Sequence, residues 1–110
     1  MFLQLAHTKL NVFQFSQELV IECYKITRQF PADEKFALVQ QIRRAALSVH
    51  LNIAEGCSRK SKIERIRYFE IARGSVIEID TAIEIACKLS YVTSDCLRSL
   101  GNSIINTFKL

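Results

Sequence analysis

The sequence predicts an all-α chain folded as a four-helix bundle, and three observations point there. Apolar residues recur at three- and four-residue intervals rather than alternately, which is the period of a helix face. One Pro and three Gly leave few breaks, and the signals that do occur divide the chain into four segments. With 110 residues, 49% hydrophobic and 24% charged, the chain suits one compact domain over residues 1–110 and is too short for two independent cores. No strand and no internal repeat is predicted.

The first helix is expected from about Thr8 to Gln29, with Val12, Phe15, Leu19, Cys23, Ile26 and Phe30 as its inward stripe. It stops before Pro31, whose ring pushes the preceding residue out of the helical region. Asp33 and Glu34 stand where an N-cap and a first-turn acid belong, so the second helix is expected to start there and run to about Glu55, with Gly56 as its C-terminal stop. Its seam is Val39, Ile42, Ala46, Val49 and Ile53. Ser61 followed by Glu64 reads as a capping box for a third helix that ends near Tyr91. Its seam is Phe69, Ala72, Val76, Ile79, Ile83 and Ala86. Thr93 or Ser94 then caps a fourth helix toward Phe108.

Two helices carry more apolar surface than a single core contact needs. Leu47 and Leu51 form an i, i+4 ridge nearly opposite the seam of the second helix, with Arg43 and Arg44 beside it. On the third helix Ile71, Ala82, Ile85 and Leu89 widen the apolar arc to roughly 200°. Aligned surplus of this kind predicts self-association, with Leu47, Leu51, Ile71 and Ile85 as the oligomer interface.

Net charge is +4, and the excess is local. Acids balance bases up to Ile42, whereas between Arg43 and Arg73 eight cations face three acids. Lys60 and Lys62 flank the start of the third helix, where the partial positive charge of the amide groups repels them and a bound anion would relieve both. Arg59, Lys60, Lys62, Arg65 and Arg67, together with Arg43 and Arg44, are therefore the candidate phosphate contacts to RNA or DNA, with Ser58 and Ser61 as neutral donors nearby. A solvated turn whose cations form ion pairs within or between subunits explains the same charges. Only Tyr68 and Phe69 lie among the cations, and Phe69 belongs to the core, so base stacking has little support.

Nothing in the sequence points to an enzyme, a cofactor or a metal. The patterns GxSxG, HExxH, GxGxxG and the P-loop are all missing, and the carboxylates are spread singly. Cys23, Cys57, Cys87 and Cys96 form no CxxC pair and read as reduced core residues. His50 shares a helix face with Cys57, but two ligands do not hold a metal, so a partly buried histidine is expected. Gln41, Ser48, Asn52 and Glu55 share a stripe beside the second seam and read as a structural polar network, joined by Arg59. No uncharged run beyond the first helix exceeds about ten residues, against about 18 for a membrane span, and no signal peptide is recognisable, which predicts a cytoplasmic protein with no membrane partner.

QIRRAA (Gln41 to Ala46), the NIAEG turn (Asn52 to Gly56), Arg59 with Ser61, and Phe69, Ile71, Ala72, Gly74 and Ser75 spaced as F-x-IA-x-GS form one multi-part pattern, in which the middle of the chain resembles the 23S ribosomal RNA intervening-sequence protein family. Upstream, Glu18 to Val20, Tyr24, Thr27 and Phe30-Pro31 also correspond. The resemblance implies an up-and-down antiparallel four-helix bundle that assembles as a homo-oligomer, commonly a homopentameric ring. It also implies a bacterial setting in which members are encoded within inserts interrupting ribosomal RNA genes or elsewhere in the genome. A distant relative, the accessory variability protein of diversity-generating retroelements, associates with nucleic acid and a reverse transcriptase. His50 and Leu51 depart from the family pattern, which has Pro and a small residue there, so the second helix is expected to be straighter. The expected function is a non-enzymatic oligomeric scaffold that binds RNA or a ribonucleoprotein through its basic surface. The alternative is a structural ring that binds protein alone.

Overall fold

The computed structural model describes residues 2–3 and 5–110 and, of Lys9, the backbone alone. Four helices, α1 (Asn11–Thr27), α2 (Leu38–Ser58), α3 (Lys62–Lys88) and α4 (Arg98–Phe108), run alternately up and down in a bundle 44 × 23 × 22 Å. No strand occurs among the described residues. The most extensive packing joins α2 to α3; α1 packs against both α2 and α4, while α3 and α4 touch only thinly.

The core follows the seams. All five seam residues of α2 are buried, as are Ala72, Val76, Ile79, Ile83 and Ala86 of α3, with Phe69 half-buried at its start. Along α1, Leu19, Cys23, Ile26 and the following Phe30 are buried, but the N-terminal half is rotated from the expected stripe. Ser16 is fully buried while Phe15 is half-exposed. Ser16 can go inside because its hydroxyl is satisfied twice, 2.9 Å from the Phe13 carbonyl and 2.6 Å from His50 Nδ1.

Three helix starts differ from expectation. Thr8 lies in a 3-10 turn (Ala6–Lys9), and extended backbone at Leu10 (ψ 142°) separates that turn from α1. Asp33 and Glu34 likewise sit in a 3-10 turn (Ala32–Glu34), and α2 begins only after Ala37 leaves helical geometry at φ −121°, ψ −100°. Neither Thr93 nor Ser94 caps α4: Thr93 Oγ1 accepts from the Cys96 amide at 3.4 Å, but this bond belongs to a 3-10 turn (Asp95–Leu97) that precedes α4, and Ser94 at the N-cap of that turn makes no side-chain cap bond. Cys96 is exposed there, so the core assignment fails for this cysteine, and Cys57 and Cys87 are half-buried. Only Cys23 is a full core residue, and burial, reinforced by Glu22, pushes its thiol up to about 12.

Gly56 is not a helix stop. α2 continues through it to Ser58, and the glycine is buried where α2 meets α3. A Cβ at this position would lie 2.7 Å from Phe69 Cε1 and 3.1 Å from Tyr68 Cβ, so the absent side chain is what allows the helices to converge.

α3 ends at Lys88, short of Tyr91, because Ser90 turns left-handed at φ 63°. The Tyr91 amide donates to the Ala86 carbonyl (2.9 Å) and the Ser90 amide to Cys87 (3.0 Å), the two bonds of a Schellman cap. The chain then locks this end of the bundle, since Tyr91 packs on Phe30 (5.6 Å between centroids) and its hydroxyl donates to Glu34 Oε2 at 2.7 Å. A left-handed serine carries a steric cost that glycine does not. Ser90→Gly is expected to raise stability by about 1 kcal/mol, read from the midpoint of chemical unfolding.

Candidate nucleic-acid interface

The α2–α3 turn forms one tip of the bundle, and its shape follows from three local choices. Ser58 Oγ donates back to the Glu55 carbonyl (2.8 Å) as α2 ends, and Arg59 adopts extended backbone at φ −80°, ψ 143°. Ser61 then accepts from the Glu64 amide at 3.4 Å as the N-cap of α3, as the sequence pattern predicts. Close approach at Gly56 brings Tyr68 of α3 under the turn.

Arg59 is held within this tip. One of its terminal nitrogens donates to Glu55 Oε2 (2.9 Å) and to the Tyr68 hydroxyl (3.0 Å), and the guanidinium lies 5.1 Å from the Tyr68 ring centroid. Its pKa is raised, first by the Tyr68 hydrogen bond. Arg59–Glu55 is the only ion pair among the described residues. Lys60, Lys62, Arg65 and Arg67 are all exposed and have no such partner. Four uncompensated cations thus surround a helix start whose amide groups add positive charge of their own.

Arg43 and Arg44 do not join this surface. Arg43 precedes Arg59 by sixteen residues on α2, roughly 24 Å at the helical rise. Its guanidinium is committed to α1, donating to Thr27 Oγ1 (2.9 Å) and the Tyr24 carbonyl (3.3 Å) while stacking 4.6 Å from the Tyr24 ring centroid. There it places positive charge at the C-terminal end of α1, the negative end of that helix. Arg44 is exposed beside it.

The polar stripe divides into three parts. Asn52 donates to the Ser48 carbonyl (2.8 Å) and hydroxyl (3.2 Å), and Ser75 of α3 donates to Ser48 at 3.0 Å. Gln41 reaches Glu78 of α3, and Glu55 belongs to the tip through Arg59. Leu47, Leu51, Ile71 and Ile85 are all exposed on the chain. The periodicity of the sequence did not reveal Tyr68 as the partner of Arg59, because the two meet across the turn rather than along one helix face.

Beside the tip, the N-terminal 3-10 turn covers α1 and α2. His50 lies 4.5 Å from the Phe13 ring, and His7 meets that ring edge-on at 5.2 Å. Burial, then the proximity of His7, lowers the His50 pKa below its ordinary 6.5. In the window just below that value the unfolded chain therefore binds a proton that the folded chain refuses, so stability falls as pH drops through it. His50→Gln is expected to flatten this part of a stability-versus-pH curve; an unchanged slope contradicts the assignment. Among the described residues no three histidine, cysteine or acidic side chains come together to hold a metal, and no helix is long and apolar enough to cross a membrane.

Comparison with known proteins agrees with this architecture. No curated protein matches the chain. A crystal structure from Bacteroides thetaiotaomicron, of a protein with unknown function from the S23 ribosomal protein family, superposes with a TM-score of 0.78. It is 24% identical over 89% of this chain and 92% of that one, a likeness of fold. The sequence profile of the 23S rRNA-intervening sequence proteins matches residues 8–110, and the chain belongs to that family.

Proposed function

We propose that this protein is a non-enzymatic, self-associating helical scaffold that binds RNA, alone or in a ribonucleoprotein, through the α2–α3 tip. The observation that carries the reading is the cluster of Lys60, Lys62, Arg65 and Arg67, exposed and without ion pairs around the start of α3. A surface of this kind grips phosphates without reading bases, so the binding is salt-sensitive and tolerant of sequence. Arg59 and Tyr68 hold the turn that displays these cations, and Arg59 itself remains close enough to add a phosphate contact at the edge. Assembly uses the exposed apolar residues Leu47, Leu51, Ile71 and Ile85, and a homopentameric ring is the form the family resemblance favours. The test is RNA binding by Lys60→Glu/Lys62→Glu compared with the unaltered chain; undiminished binding by the variant sinks the reading.

One observation favours a second reading, a ring that binds protein alone. Ile63 is 81% exposed in the middle of the basic tip, and such an apolar residue suits a protein partner better than a phosphate backbone. On that reading Ile63→Asp abolishes partner binding, and RNA is not bound at physiological salt.

A further inference from the structure

The self-association proposed above leaves open which surfaces meet, and two features on different faces of the bundle match each other. The first is the α2 ridge. Leu47 and Leu51 (59% exposed) point away from the Ile42, Val49 and Ile53 core, and Arg44 stands exposed one turn before Leu47 with no ion pair among the described residues. The second is a groove between α3 and α4, lined by Val76, Ile77, Asp80, Ile104, Ile105 and Phe108. It exists because α4 has 11 residues against 27 in α3 and packs mainly on α1. Ile77 and Ile105 are 54% and 58% exposed, and Asp80 is exposed and also without an ion pair.

The order of charge and apolar contact along the two features selects one orientation. α2 and α3 are antiparallel, so the step from Leu47 back to Arg44 and the step from Ile77 on to Asp80 lead toward the same end of the bundle. Each step covers three residues, about 4.5 Å of helix. With two copies side by side and parallel, Leu47 placed on Ile77 brings Arg44 to Asp80. At the other end of the groove stand Arg73, stacked 4.5 Å from the Phe108 ring, and Lys109, and toward that end the ridge carries Glu55. With the copies antiparallel, as in a two-fold dimer, the same apolar contact turns Arg44 toward Arg73, and like charges meet.

We propose that the Leu47/Leu51 ridge of one copy seats in the α3/α4 groove of the next, with Arg44 facing Asp80. Ridge and groove are different surfaces, so the contact is head-to-tail and every copy offers one of each, as a closed ring requires. On this pairing the groove receives the ridge, and its recognition chemistry is an apolar ridge with one cation at a fixed offset.

The test is the mass of the full chain in solution, by light scattering, for the unaltered protein, Arg44→Asp, Asp80→Arg and the double exchange. The unaltered chain is expected to be oligomeric, each single reversal to weaken assembly roughly tenfold or more, and the double exchange to restore it. Restoration also guards against misfolding, since a variant that fails to fold is not rescued by a second surface charge. A monomeric unaltered chain overturns this pairing and the self-association reading together. An oligomer indifferent to both reversals, or not restored by the exchange, overturns the pairing and leaves that reading standing.

Discussion

Reversing Lys60 and Lys62 to glutamate is expected to weaken RNA binding by about 10- to 100-fold at ~0.15 M salt, without changing oligomer size. The size of the effect follows from counterion release. Each phosphate contact on a single strand contributes about 0.7 to the slope of log affinity against log salt, so losing one contact costs roughly 4-fold at that ionic strength. Two lost contacts give the lower bound, and repulsion between the new carboxylates and the strand carries the effect further. Assembly is untouched because both side chains project from the tip, away from the α2 ridge and the α3/α4 groove. Intact RNA binding with a lower mass would mean instead that these lysines belong to a subunit contact.

Gly56→Val is the substitution expected to damage the chain most. Valine at this helical position gains at most about 0.5 kcal/mol of propensity over glycine. Against that, the new Cβ alone would stand 2.7 Å from Phe69 Cε1 and 3.1 Å from Tyr68 Cβ, and the second of these atoms sits next to backbone. The Phe69 ring can swing, but Tyr68 Cβ can yield only if α3 moves, so overpacking at about 1–3 kcal/mol prevails. Because Tyr68 anchors Arg59, the shift also loosens the turn that displays the basic cluster. Thermal unfolding is expected to drop by several degrees, with RNA affinity reduced in the fraction that remains folded.

The fold was legible where a residue's role depends on its own helix. The α2 and α3 seams and the Ser61 cap are set by spacing along one element, and they appear in the structure as the sequence predicts. Legibility failed where the role depends on a second element. Gly56 resembles a helix stop in one dimension and is a crossing point in three. Arg43 looks like half of an exposed basic pair, yet Tyr24 and Thr27 on the neighbouring helix bind it. Ser16 looks polar and outward until His50 from α2 supplies its partner. The α3/α4 groove was hidden for a related reason, since it depends on α4 packing mainly against α1 and only thinly against α3.

For the candidate site, charge location was the readable part. The excess between Arg43 and Arg73 is a property of the sequence, but its division between a tip and a distant arginine pair is a property of helix length. Among the described residues, only the tip holds several uncompensated cations at a helix start.

The most direct measurement is the affinity of the unaltered chain for single-stranded RNA across a salt series, with oligomer mass recorded in the same buffers. If Lys60, Lys62, Arg65 and Arg67 each meet a phosphate, log affinity falls against log salt with a slope of about −3 per engaged subunit, and Lys60→Glu/Lys62→Glu lowers that slope by about half. A slope near zero, or one that the double variant leaves unchanged, contradicts the account.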